Sequence, residues 1–117
     1  MCVNRLLLVP LVLALSACVS DPAPLEQLRL TEQTLAQAQT MGVSIEQSES
    51  LRLAQDKFSR AQQALQDGRN KEARLLAEQS ELDARLAEAE QVNAKGREQL
   101  AEINQRITRL RQQLGAL

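Results

Sequence analysis

The sequence predicts an all-α protein: an antiparallel helical bundle of three helices, the last long and extended into a coiled-coil tail. Three observations carry this prediction. Beyond the first two dozen residues the chain is dominated by Ala, Leu, Gln, Glu and Arg, all strong helix formers. After Pro24 the only helix breakers are Gly42, Gly68, Gly96 and Gly115. From Leu100 onward, large apolar residues alternate at spacings of three and four, the pattern of a coiled-coil seam. Phe58 is the sole aromatic in 117 residues, and His, Trp and Tyr are absent, so long helices fit better than a deep core.

The chain opens on Met1-Cys2-Val3-Asn4-Arg5, a basic start, followed by an apolar run from Leu6 to Leu15. Residues 1–17 therefore read as a secretory signal peptide. A membrane span is a poor alternative, because Pro10 interrupts the run and a span needs about 20 apolar residues. The four residues Leu15-Ser16-Ala17-Cys18 resemble the lipobox of bacterial lipoproteins. That resemblance implies cleavage between Ala17 and Cys18, a diacylglycerol on the Cys18 thiol and an acyl chain such as palmitate on the freed amine. No other cofactor is expected. Two or three chains anchor a protein stably where one does not. In enterobacterial lipoproteins an Asp after the Cys favours the inner membrane. Val19 stands there instead, so the expected location is the periplasmic face of the outer membrane.

Cleavage would remove Arg5, so the formal charge of -1 for the whole chain becomes -2. That balance does not suggest nucleic-acid binding, and export argues against it independently. Cys2 would leave with the leader and Cys18 would carry lipid, so neither a disulfide nor a thiolate metal site is expected.

Residues 18–24 read as a short tether, with Pro22 and Pro24 keeping it extended and Asp21 a candidate cap for the first helix. Residues 25–95 read as the bundle. Its first helix is expected from about Pro24 to Met41, with Leu25, Leu28, Leu35 and Ala38 on one stripe and Glu26, Arg29 and Glu32 outside it. Gly42 stops it. Ser44 with Gln47 three residues later predicts a capping box for the second helix. That helix carries Leu51, Ala54, Phe58, Ala61 and Leu65 at alternating spacings, and Gly68 ends it by taking the left-handed conformation. Asn70 is the expected N-cap of the third helix. Ala73, Leu76, Ala77, Ser80, Ala84 and Ala87 form its inward face, with small residues that allow close approach. With no clear stop before Gly115, the third helix would run about 65 Å at 1.5 Å per residue.

Leu51-Arg52-Leu53-Ala54-Gln55-Asp56-Lys57, Ala61-Gln62-Gln63-Ala64-Leu65, Gly68, Glu72-Ala73-Arg74-Leu75-Leu76-Ala77-Glu78-Gln79 and Asp83-Ala84 form a distinctive set of stretches. Together they resemble a family of small proteobacterial envelope proteins known as domain of unknown function 4398. The resemblance covers roughly residues 20–95. It implies an envelope setting and supplies no catalytic residues.

The sequence offers little catalytic chemistry. Nucleophilic catalysis needs a base beside Ser, Thr or Cys, and the usual base, His, is absent. Glu78, Glu81, Asp83, Glu88 and Glu90 cluster in sequence, but a helix spreads them around a solvated surface. No loop repeats acidic residues at calcium-ligand spacing, and the glycines stand alone rather than forming a phosphate loop. Arg74 and Arg85 are expected to pair with acidic residues of the first two helices, Asp83 to be a solvated or capping charge, and Phe58 to fill core. An enzyme is not expected.

Residues 96–117 read as a coiled-coil tail continuing the third helix. Leu100, Ile103, Ile107, Leu110, Leu114 and Leu117 form its seam, the candidate partner-binding residues. Asn93 and Gly96 weaken the same register upstream. A break at Gly96 would let the tail fold back as a fourth helix, but Arg97, Glu98 and Gln99 offer no N-cap to restart one, so continuity is expected. From Lys95 onward five bases stand against two acids. That charge suits a solvated helix, or contact with an acidic partner, anionic lipid headgroups or the anionic wall, a peptidoglycan contact. Self-association in parallel would set Arg106 against Arg111 of the mate, so an antiparallel pair, a higher oligomer or a foreign acidic helix fits better. The expected function is that of a membrane-anchored structural or interaction lipoprotein of the envelope. The alternative is an accessory or docking subunit of an envelope machine such as a secretion or efflux assembly.

Overall fold

The computed structural model describes residues 21–116, so the expectations for Ala17, Cys18 and Leu117 lie outside the described residues. Three helices follow one another: α1 (Leu25–Thr40), α2 (Glu49–Gln66) and α3 (Asn70–Gly115). They run up, down and up, so α2 is antiparallel to both neighbours. No strand interrupts them among the described residues. The expected all-α bundle with a long last helix is what the chain forms.

Both turns are set by glycine. Gly42 and Gly68 take φ of 86° and 73°, where a Cβ would crowd the backbone. After α1, the Val43 amide donates to the Ala38 carbonyl at 3.1 Å and Gly42 to Gln39 at 2.9 Å. After α2, Arg69 donates to Ala64 at 2.8 Å and Gly68 to Leu65 at 3.0 Å. Each pair is a Schellman motif, which satisfies carbonyls that the helix end would leave bare. The apolar contact that accompanies the motif is present after α1, where Val43 joins Ala38 in the core.

The helix starts depart from expectation. Asp21 does not cap α1. Pro24 holds the N-cap position without a side-chain bond, and Pro22 and Ala23 keep Asp21 too far upstream. The N-cap of α2 is Ser48, whose hydroxyl accepts from the Leu51 amide at 3.1 Å. Ser44 instead opens a turn in which its carbonyl accepts from Gln47 and Ser48. That turn seats Val43 in the core before Leu51 arrives. Asn70 is the first residue of α3 rather than its cap, and its side-chain Nδ2 donates to the Asp21 carbonyl at 2.7 Å.

The core has two parts joined by Phe58. Leu35, Ala38, Val43, Leu51, Ala54, Ala84 and Ala87 form one, and Leu28, Ala61, Ala64, Ala73, Leu76 and Ala77 the other. Phe58, half-buried, packs against both. All six residues expected on the inner face of α3 are buried. Leu25, expected on the α1 stripe, is exposed at the end of the bundle, whereas Thr31 and Thr34 are buried within that stripe. The Thr31 hydroxyl lies 2.8 Å from its own helix's Gln27 carbonyl and 3.0 Å from the Ala77 carbonyl of α3. The Ser80 hydroxyl donates to the Ala54 carbonyl of α2 at 2.6 Å.

α1 and α2 hold 16 and 18 residues against 46 in α3, so they cover only its first half. The last contacts across are Gln91 to the Gly42 carbonyl at 3.2 Å and Lys95 to the Met41 carbonyl at 2.9 Å. α3 passes Gly96 without a break and continues alone.

The glycines give a paired prediction. Gly68→Val has open space around its Cβ, so its cost is backbone strain, about 1–2 kcal/mol. Gly96→Ala also meets nothing, at ordinary helical φ, and should stabilise by about 1 kcal/mol. Thermal melts monitored by circular dichroism should shift in opposite directions. Equal shifts would mean that the α2–α3 turn or the continuity of α3 is misplaced.

Candidate partner-binding surface

Helix three presents two unlike faces. Inward it carries small side chains against α1 and α2. Beyond Arg97, which lines a surface hollow with Val43, Ser44 and Gln47, α3 leaves the other described helices behind, and every described residue from Arg97 to Ala116 is exposed. The seam residues Leu100, Ile103, Ile107, Leu110 and Leu114 lie along one row and are 40% to 69% exposed. These residues form a contiguous exposed apolar row rather than scattered surface leucines. Glu102 and Arg106 pair across one turn of the tail at 3.0 Å, and such exposed pairs add only tenths of a kcal/mol.

The charged residues of the bundle half are mostly engaged with its helices. Lys57 of α2 and Asp83 of α3 pair at 2.6 Å, each about a quarter exposed. Asp83 is thus an interhelix partner, not the solvated or capping charge expected. Glu81 accepts from Gln27 of α1 at 2.8 Å and from Arg85 of its own helix at 2.5 Å. Ser50 of α2 donates to Glu90 at 3.0 Å. Glu88 accepts weakly from Gln37 of α1 at 3.5 Å, so four of the five clustered carboxylates reach another helix instead of spreading over a solvated surface. Arg85 pairs within α3, and Arg74 makes no ion pair among the described residues, so neither bridges to α1 or α2 as expected. At the α2–α3 turn, Arg69 and then Gln63 donate to Asp67 and lower its pKa. The lowered value means that its stabilising contribution holds above the unfolded-state pKa and fades as pH falls through the folded one.

Among the described residues no three His, Cys, Asp or Glu side chains gather as a metal site. None of the described helices is long and apolar enough to cross a membrane. Along α3 the exposed apolar row of the tail is flanked by a net basic segment, and the bundle half of the helix is net acidic.

Three comparisons bear on this arrangement. The family model described as Domain of unknown function (DUF4398) matches residues 26–103, from the first turn of α1 to the seam residue Ile103. A crystal structure of a DUF4398 family protein from Pseudomonas aeruginosa is 53% identical, with a TM-score of 0.76, and the match covers 80% of this chain and 97% of that one. No curated protein matches. The family model spans all three helices and the start of the projecting seam, and on that extent of match the chain belongs to the DUF4398 family.

Proposed function

We propose that this protein is a lipid-anchored structural or interaction protein of the bacterial cell envelope, acting by binding rather than by catalysis. The observation that carries the reading is the bare apolar row Leu100, Ile103, Ile107, Leu110 and Leu114 on a helix that extends beyond its own bundle. Covering such a row with a partner helix removes large apolar side chains from water, each worth about 1.5–3 kcal/mol when fully buried. The lipobox at Cys18 supports the anchor, and Val19 after it supports the periplasmic face of the outer membrane.

The geometry gives the reading a direction. Asp21 is bonded to Asn70 at the start of α3, so the tether leaves the bundle at the end opposite the tail. A 46-residue helix spans about 70 Å. The proposed lipid and the proposed seam therefore sit at the two ends of one rigid rod. In the accessory-subunit alternative, the seam would dock on a membrane machine.

Two measurements test this. Cys18→Ser should abolish incorporation of a radiolabelled fatty-acid precursor, and equal labelling of both proteins would remove the anchor. Ile103→Asp with Leu110→Asp should release the tail's partner, seen by sedimentation and by capture from solubilised envelopes, while bundle helicity is retained. A wild-type protein that sediments as a single copy and captures nothing would sink the interaction reading.

A further inference from the structure

The tail seam does not begin at Leu100. Going back along α3, Gly96, Asn93, Ala89, Leu86, Leu82, Gln79 and Leu75 continue the same alternation of three and four. Leu75, Leu82 and Leu86 are all more than half exposed. At 100° per residue this row lies about half a turn from Ala73, Ala77, Ser80 and Ala84, which face α1 and α2. The bundle's own helices therefore cannot cover it. From Leu75 to Leu114 the row is about 60 Å long. Its eight large side chains expose roughly 100 Å² each, or about 800 Å² per chain, what one partner contributes to a standard stable interface.

We propose that a second copy of this chain covers this row, running antiparallel, with the two-fold axis crossing α3 between Ala94 and Lys95. This deepens the reading of the tail as a partner-binding seam and rests on it.

Charge selects the orientation. From Asn70 to Ala94, α3 carries three bases, Lys71, Arg74 and Arg85, against six acids; from Lys95 onward it carries five bases against two acids. A parallel pair sets Glu78 against Asp83 and Arg106 against Arg111 of the mate, with a single favourable contact of the same kind, Arg85 to Glu90. The antiparallel pair lays each basic tail along the other's acidic half. Arg97 then flanks Glu90, which offsets its approach to Arg97 of the mate across the axis, and Arg111 approaches Asp83. Arg106 meets both Arg85 and Glu78, and the Arg85 charge is already held by Glu81. A tail-on-tail antiparallel register would stack two basic segments and leave Leu75, Leu82 and Leu86 bare.

Packing selects the register. With the axis between Ala94 and Lys95, Leu75 meets Leu114, Leu82 meets Ile107, Leu86 meets Ile103, and Ala89 meets Leu100. Gln79 faces Leu110 with its methylenes, and the two central layers set Asn93 against Gly96. In the parallel pair Ala89, Asn93 and Gly96 each meet themselves. That makes three successive layers without a large apolar side chain, an underfilled stretch of the kind that destabilises cores. The row drifts around a straight helix by about 20° per heptad, so the two helices would wind around each other left-handedly. The tethers of such a pair leave opposite ends, about 75 Å apart. A pair held by lipid in one leaflet thus lies along the membrane.

The register is read by disulfide trapping in the full chain carrying Cys2→Ser and Cys18→Ser, purified in detergent. In that background the outcome does not depend on lipidation. Leu75→Cys mixed with Leu114→Cys should give a linked dimer, while either variant alone should not. Either variant linking to itself, or no linkage in the mixture, overturns the antiparallel pair. Leu82→Glu with Leu86→Glu, far from the tail in sequence, should halve the sedimenting mass without loss of helicity. If those changes leave the dimer intact while Ile103→Asp with Leu110→Asp dissociates it, the extended row is refuted and the tail reading stands. If neither pair of changes dissociates it, both fall.

Discussion

The close approach of α3 to its neighbours governs the rest of the molecule. Ala73, Ala77, Ser80, Ala84 and Ala87 leave so little side chain between backbones that hydroxyls on one helix reach carbonyls on the next. Thr31 meets Ala77 across the α1–α3 contact, and Ser80 meets Ala54 across the α3–α2 contact. Each such buried bond contributes about 1 kcal/mol net, and losing a partner costs more than making the bond gains. A groove this narrow also excludes bulk, because added methylenes in a tight core cost about 1–3 kcal/mol. The leucines of α3 are thereby sorted. Leu76 is buried with Leu28, Ala61 and Ala64, while Leu75, Leu82 and Leu86 lie on the opposite side of α3 and stand outside. The tight inner face and the bare outer row are consequences of one constraint.

The parts of this fold legible in the sequence were those with a local cause. Gly42 and Gly68 announced their turns because left-handed φ is a property of single residues. The inner face of α3 was legible because small residues recur at helical spacing from Ala73 to Ala87. Thr31 and Thr34 were missed because an apolar stripe does not count hydroxyls, and their burial depends on carbonyls of other residues. Ser44 and Ser48 are equally good caps by chemistry, and only the seating of Val43 chooses between them. The upstream half of the outer row was obscured by Asn93 and Gly96. The adjacent pair Leu75-Leu76 added to this, since periodicity alone does not say which leucine turns inward. The resemblance of Leu15-Ser16-Ala17-Cys18 to a lipobox is a property of sequence alone, and the fold of residues 21–116 does not bear on it.

Electrostatics plays a secondary part in holding the bundle. The Lys57–Asp83 pair is a quarter exposed and most others are more so, which limits each to at most about 1 kcal/mol. Their larger effect is geometric. Glu81 fixes Gln27, Glu90 fixes Ser50, and Lys57 fixes Asp83, so α1 and α2 are pinned in register along α3. What remains is a charge gradient along α3, acidic where the bundle sits and basic where the helix stands alone. Such a gradient contributes little to folding one copy, and acts mainly on what approaches the helix and in which orientation.

The solitary tail is an unusual object energetically. An isolated helix of some 20 residues is marginal in water, because forming its first turn fixes several dihedrals for one hydrogen bond. Here the bundle supplies that nucleus, and the tail only propagates from it. Gly96 costs about 1 kcal/mol relative to Ala, yet the helix crosses it, since Arg97, Glu98 and Gln99 offer no cap at which to stop and restart. Ala-, Gln- and Arg-rich sequence and the Glu102–Arg106 pair carry the helix on to Gly115. The seam is therefore already helical before any partner arrives. The proposed pairing then need not meet the ordering cost that a disordered segment would incur, which leaves more of the apolar burial to appear as affinity. A helix extended from its own bundle in this way is pre-organised for the pairing proposed above.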